Sequence, residues 1–134
     1  MNFLTTIALL LILHTLPEKT ATDAEVIQTV QTSLRKGNAG QLSTRFDRTI
    51  ELVIDAEKVE FPSVQATHAA LILRSFFRKY PPHGFQFVYR GASDRLRYST
   101  GTYSTEGRTF TVYVLMHQNA DHQYVINALH FRKE

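Results

Sequence analysis

Acid–base chemistry on an organic substrate needs a carboxylate or an imidazole in a dry pocket, with a tyrosine or a second acid to hold the developing oxyanion. The carboxylates of this chain stand outside such contexts. Glu51 alternates away from Ile50 and Leu52, Asp47, Asp55, Glu57 and Glu60 fall in turn or edge segments, and Asp94, Glu106 and Asp121 fall in loops. Of the six histidines, His14 belongs to an amino-terminal apolar run, and the other five are His68, His83, His117, His122 and His130. No pair of them has the H-x-x-x-H spacing that sets two imidazoles on one helix face for zinc. His117 and His122 can approach across a hairpin end, where the ordinary state of a histidine is solvated. With no cysteine there is no disulfide, thiol nucleophile or cysteine-ligated metal. Gly91-Ala92-Ser93 and Gly101-Thr102 do not form a phosphate loop, and there is no Gly-x-Ser-x-Gly elbow. The residues therefore call for no catalytic group, metal or cofactor.

The elements that must position the remaining polar groups are legible from periodicity. Thr22-Asp23-Ala24-Glu25 is a capping box, followed by Val26, Ile27, Val30 and Leu34 at helical spacing and by the stop Gly37-Asn38. Ala39 to Phe46 reads as a second, short helix. Arg48 to Ile54 reads as a strand with Ile50, Leu52 and Ile54 on one face, and residues 55–61 as a short edge strand or a loop. Pro62-Ser63 is predicted to open the dominant helix, which runs to about Tyr80 with Ala69, Ile72, Leu73, Phe76, Phe77 and Tyr80 as its apolar stripe. Pro81-Pro82-His83-Gly84 ends it. Everything after Gly84 reads as antiparallel sheet: 85–90, 96–105, 108–117 and 124–131.

Glu106-Gly107 joins two of these strands as a hairpin, which makes the register calculable. If Thr105 faces Arg108, then Tyr103 faces Phe110, Gly101 faces Val112 and Ser99 faces Val114 on the core side. Tyr98, Thr100, Thr102, Thr111, Tyr113 and Leu115 then share the other side. Gly101 in a strand interior leaves room for a helix or relieves a bend. Tyr98, Thr100, Thr111 and Tyr113 are the candidates for a partner surface, because tyrosine is favoured at interfaces; packing on an exposed sheet face is the plainer reading. Asn127, alternating with Val125, Leu129 and Phe131, is either a hydrogen-bonded core or edge residue or a contact in a pocket.

The chain has 134 residues, is 43% hydrophobic and 11% aromatic, and carries a net charge of +3. That is one domain with enough apolar mass for a core. Its amino terminus, Phe3 to Leu16, is apolar, uncharged and too short to span a membrane, which takes about 20 residues. It has the length and position of a signal-peptide h-region, although Met1-Asn2 lacks a basic residue. Residues 1–21 are thus expected to be a signal, with cleavage near Thr20-Ala21-Thr22, and residues 22–134 a single exported domain, periplasmic or secreted. An uncleaved anchor or a short buried helix is the alternative. Without cysteine the protein is not a bacterial lipoprotein. Through Phe61 the chain has six bases and eight acids, and after it nine bases and four acids. The bases are dispersed and no RNA-recognition motif occurs, so nucleic acid is not an expected partner.

The order α-α-β-(β)-α-β-β-β-β resembles that of the nuclear transport factor 2-like, or cystatin-like, cone, an α+β fold in which a curved antiparallel sheet wraps a long helix. Lys36-Gly37-Asn38-Ala39 with Leu42, Pro62-Ser63 with Gln65-Ala66, Phe76-Phe77, Phe85 to Gly91 with Ser93, Tyr98-x-x-Gly101-Thr102, Thr105-x-Gly107-x-x-Phe110-x-Val112-Tyr113, and Ile126 with Leu129 together resemble the bacterial domain-of-unknown-function family numbered 4783. The resemblance runs from about residue 23 to the end. The chain departs from that pattern at Thr111, where a basic residue is usual, and at Tyr89, where histidine is frequent. Members of that family resemble exported proteins of Bacteroidetes-type bacteria. The resemblance implies a cone, and related cones often dimerise through the outer sheet face. The expected function is a non-catalytic binding or interaction module, dimeric through that face, with an unidentified small molecule or protein as partner. The rival is a small isomerase- or dehydratase-like enzyme using a polar pocket inside the cone, with Tyr103 or Asn127 beside a histidine.

Overall fold

The computed structural model describes residues 21–134; the expected signal segment, residues 1–21, lies outside them apart from Ala21. Helix α1, Asp23–Lys36, begins as its capping box dictates, with the Glu25 N–H donating to Thr22 Oγ1 at 3.2 Å. It ends on Gly37, whose φ of 66° is the left-handed conformation that closes a helix without a Cβ clash. Asn38 caps α2, Ala39–Ser43, through the Gln41 N–H. This helix is shorter than the periodicity predicts, because Phe46 already belongs to strand β1, Phe46–Ile54.

A 3-10 turn over Asp55–Glu57 leads to β2, Val59–Gln65, and only then to helix α3, Ala66–Lys79. The helix expected to start at Pro62 therefore starts four residues later. Val64 is buried opposite Ile50, and Pro62 sits in an edge strand, where a missing N–H is tolerated. The apolar stripe is otherwise as predicted: Ala69, Leu73, Phe76 and Phe77 are buried, with Ile72 and Tyr80 packed against them. At 14 residues α3 has about four turns. No helix among the described residues is long and apolar enough to cross a membrane.

Strands β3 (Pro82–Ser93), β4 (Leu96–Thr105), β5 (Arg108–Gln118) and β6 (Tyr124–Lys133) complete a six-stranded sheet in the order β2-β1-β6-β5-β4-β3. Every pair is antiparallel except β1–β6, which is parallel. The β4–β5 hairpin has the calculated register, with Thr105 opposite Arg108, Tyr103 opposite Phe110 and Gly101 opposite Val112. Its core row of Phe110, Val112, Val114 and Met116 is buried under the helices.

At Gly101 the Phe85 side chain of the adjacent strand closes over the backbone. A Cβ there would lie 2.6 Å from Phe85 Cζ and 2.8 Å from the Gln86 carbonyl oxygen. Of the two roles expected for this glycine, making room is the one it performs, and the occupant is the Phe85 ring rather than a helix.

Candidate functional site

The interior of the cone is closed by rings. Phe76 of α3 lies 4.7 Å from Phe131, 5.3 Å from Phe110 and 5.8 Å from Tyr103, centroid to centroid. Such tilted and edge-on pairs add to the burial term. Tyr103, a candidate pocket residue, is wholly buried in this cluster, and its hydroxyl donates to the Tyr80 carbonyl at the end of α3. The phenol is thus committed to closing the helix. Among the described residues the buried polar side chains are Ser33, Ser99 and Thr105, with no carboxylate or imidazole.

Burial pushes the Tyr103 phenol well above the ordinary tyrosine range. The unfolded chain releases this proton as pH rises through about 10 while the native state keeps it, so stability falls above that pH by up to about 1.4 kcal/mol per unit. Tyr103→Phe is expected to flatten this alkaline slope. At neutral pH it is expected to cost about 1–2 kcal/mol, because the Tyr80 carbonyl loses its donor. Urea unfolding of both proteins from pH 8 to 11 measures the two effects, and an unchanged alkaline slope would remove the assignment.

Asn127 stands at a β-bulge. Leu115 pairs with Ala128 and Met116 with Ile126, leaving Asn127 as the unpaired extra residue of β6. The bulge breaks the alternation assumed for this strand: Leu129 and Phe131 face the core with Ile126, while Val125 pairs with His117 on the other face. Asn127 Oδ1 is enclosed and has no hydrogen-bond partner among the described residues. The cavities that Tyr103 and Asn127 would have to share are elsewhere, and neither residue lines them.

The outer face of the sheet gathers the other four candidates. Thr100 pairs with Tyr113, which pairs with His130, which pairs with Val53. The neighbouring row is Tyr98, Leu115, Ala128 and Glu51, and Thr102, Thr111 and Arg132 form a third. Tyr98, Thr100, Thr111, Tyr113 and Leu115 are half-buried, and the core-forming helices lie on the opposite face. Thr111 Oγ1 donates to Glu134 at 2.8 Å. The Tyr98 ring lies flat over Gly91, at distances where a Cβ on residue 91 would collide with it.

Two histidine–carboxylate pairs on this sheet escaped the sequence reading. His130 Nε2 contacts Glu51 Oε1, and the Tyr113 ring lies 5.3 Å from the imidazole. His117 Nε2 lies 3.4 Å from Asp47 Oδ2. Both pairs depend on the parallel β1–β6 contact and the strands beside it, which periodicity alone does not supply. Alternation does place Glu51 and His130 on outward positions, and that was the available signal. Of the two hairpin-end histidines, His117 turns to Asp47. No group of three or more His, Asp or Glu side chains that could hold a metal occurs among the described residues. On the opposite surface Lys79 approaches Glu57 at 2.9 Å; its hydrogen bond holds the Glu57 carboxyl below the ordinary range, and Glu57 in turn raises Lys79. With Lys79 exposed, this is a weakly stabilising surface bridge.

An open groove of about 960 Å³ runs between α1 and the edge strand β3. Ile27, Gln31 and Arg35 line it from the helix, and His83, Phe87 and Arg90 from the strand. Arg35 Nε–H donates to the Phe85 carbonyl at 3.2 Å. A smaller cavity of about 360 Å³ continues past Arg90 to Asp23 and Arg97, which pair with each other at 2.9 Å.

A family model described as "Domain of unknown function (DUF4783)" matches residues 27–132. No curated protein matches the chain. Among solved structures, a DUF4783 family protein from Bacteroides ovatus superposes with a TM-score of 0.72 at 24% identity, covering 79% of this chain and 93% of that one. A second, from Bacteroides uniformis, gives 0.73 at 19% identity over 80% and 95%. An NTF-2 like protein of unknown function from Silicibacter pomeroyi gives 0.61 at 10% identity over 83% and 92%. At these identities the superpositions establish the α+β, NTF2-like fold.

Proposed function

For a chain that belongs to the DUF4783 family and has its NTF2-like fold, we propose a non-catalytic interaction module that dimerises through the outer face of its sheet. One observation carries this reading: the cone interior is filled by Phe76, Tyr103, Phe110 and Phe131 with no buried acid or base among the described residues, while half-buried Tyr, Thr and Leu side chains are collected on the outer face. Tyrosine beside small and aliphatic residues is the composition that protein interfaces favour. The rival enzyme reading needs a polar cavity where the rings stand.

The dimer is tested by sedimentation of the purified protein over a wide concentration range. The expected result is a self-associating species that Tyr113→Asp converts to monomer, since a carboxylate at the centre of that face must be desolvated on both copies. Tyr113 points away from the core, so the variant should keep its fold, with a thermal midpoint lowered only by the lost contact with His130 and the weaker strand preference of aspartate. A wild-type monomer at high concentration would overturn the proposal.

Export is the second part of the reading. The apolar run Phe3–Leu16 supports it, together with the small residues Thr20, Ala21 and Thr22 where cleavage would fall. Amino-terminal sequencing of the protein from its own host should begin near residue 21. Cytoplasmic protein retaining Met1 to Pro17 would end the claim.

A further inference from the structure

The two edges of the sheet are protected very differently. A free strand edge offers unpaired N–H and C=O groups to any extended chain, and proteins usually block it with proline, charge, bulges or brevity. Strand β2 is short, seven residues, with Pro62 in its middle and Glu60 beside it. Strand β3 is twelve residues long and has no proline between His83 and Ser93. Its only interruptions are bulges, one of them at Val88, which has no partner in β4. Val88 and Tyr89 are 72% and 56% exposed, so apolar surface accompanies the open backbone.

The groove along this edge has a definite electrostatic sign. Arg35, His83 and Arg90 line it, and among the described residues no carboxylate does. The Arg35 bond to the Phe85 carbonyl fixes the guanidinium at the edge through Nε, and among the described residues its terminal nitrogens have no partner. Arg90 lies 5.9 Å over the Phe87 ring and has no ion pair among the described residues. The Arg35 guanidinium is thus held at Phe85 and the Arg90 guanidinium over Phe87, on the same stretch of the edge. Side chains alternate along a strand, so acidic residues at alternate positions of an added strand share the one face that meets these two groups.

We propose that β3 accepts an extended acidic peptide as a seventh strand, its backbone pairing along Gly84–Phe87 with the groups that the Arg35 bond to the Phe85 carbonyl leaves free, and two of its carboxylates meeting Arg35 and Arg90. Main-chain bonds supply the general affinity and the two guanidinium groups the selectivity. The Val88 bulge confines regular pairing to one side of it, and the acidic side chain beyond the bulge reaches Arg90. The groove shares Thr102 with the outer-face rows, but none of Tyr98, Thr100, Thr111 and Tyr113 lines it, so the two readings fail independently: sedimentation tests one and peptide binding the other.

The test is an NMR titration of the isotope-labelled protein with a short peptide alternating glutamate and valine. Controls are the same peptide with lysine for glutamate, and a copy N-methylated on alternate backbone nitrogens. The expected result is amide shifts concentrated on residues 84–90, with affinity lost on N-methylation and in the lysine peptide. Arg90→Glu should weaken the glutamate peptide by about tenfold or more, as expected for reversing one desolvated charge contact, while leaving sedimentation unchanged. Equal binding of the N-methylated peptide would mean that the groove takes anions without strand addition. Either that outcome, equal binding of the lysine peptide, or no shifts on β3 at millimolar glutamate peptide would overturn the proposal.

Discussion

Phe76→Ala is expected to destabilise the protein by about 3–5 kcal/mol, the range for deleting a large ring from a core that cannot collapse around the gap. Phe76 has five aromatic neighbours within ring-contact distance: Phe77, Tyr80, Tyr103, Phe110 and Phe131. They come from α3, its end, and three strands, so no single element can move to fill the void without breaking sheet pairing. The whole margin of a domain this size is about 5–15 kcal/mol. The variant should therefore unfold at a much lower urea concentration, with an unchanged dependence on denaturant. Phe76→Leu, which retains much of the volume, should recover over half of the loss. A Phe76→Ala cost below about 1 kcal/mol would mean that the cone is not closed by this cluster, and the pocket-enzyme reading would regain its ground.

Gly101→Ala is expected to cost about 1–3 kcal/mol or more by overpacking. One added methyl must displace either the buried Phe85 ring or the Gln86 backbone carbonyl, and that carbonyl belongs to the strand paired with residue 101. Gly84 provides the control on the same sheet, since a Cβ there meets nothing within 4 Å. Gly84→Ala should leave the thermal midpoint close to wild type. Phe85→Leu added to Gly101→Ala should restore part of the loss, because the smaller side chain vacates the space the methyl needs. If Gly101→Ala is no more damaging than Gly84→Ala, the close approach of Phe85 is wrong.

These expectations separate what local pattern reveals from what it hides. The capping box at Thr22, the Gly37 stop and the Glu106-Gly107 hairpin are set by neighbours within four residues, so they were legible directly. The start of α3 was misplaced because Pro62-Ser63 carries a strong local helix-start signal, while the residue that decides the matter is Val64, held in a strand by Ile50 fourteen positions away. The alternation read around Asn127 broke down for a related reason: it assumes an unbroken ladder, and a bulge depends on the partner strand.

The candidate site divides along the same line. Tyr98, Thr100, Thr111 and Tyr113 could be put on one face from hairpin register alone, and they occupy one face. That Glu51 and His130 join them required the parallel pairing of β1 with β6, strands more than 65 residues apart in the chain. The edge groove was invisible for the same reason, since Arg35 and Arg90 have no sequence relation and meet only because α1 packs beside β3.

Read alone, the chain determined the order of its elements, its family resemblance, the hairpin register and a mixed charge that is acidic early and basic late, because each follows from short-range periodicity or composition. The tertiary structure decided that the cone is filled rather than hollow, that one sheet edge is blunted and the other open, and which unlike side chains share a surface. Volume, edge exposure and long-range charge pairing are properties of elements packed together, and the covalent order of residues encodes them only through the fold.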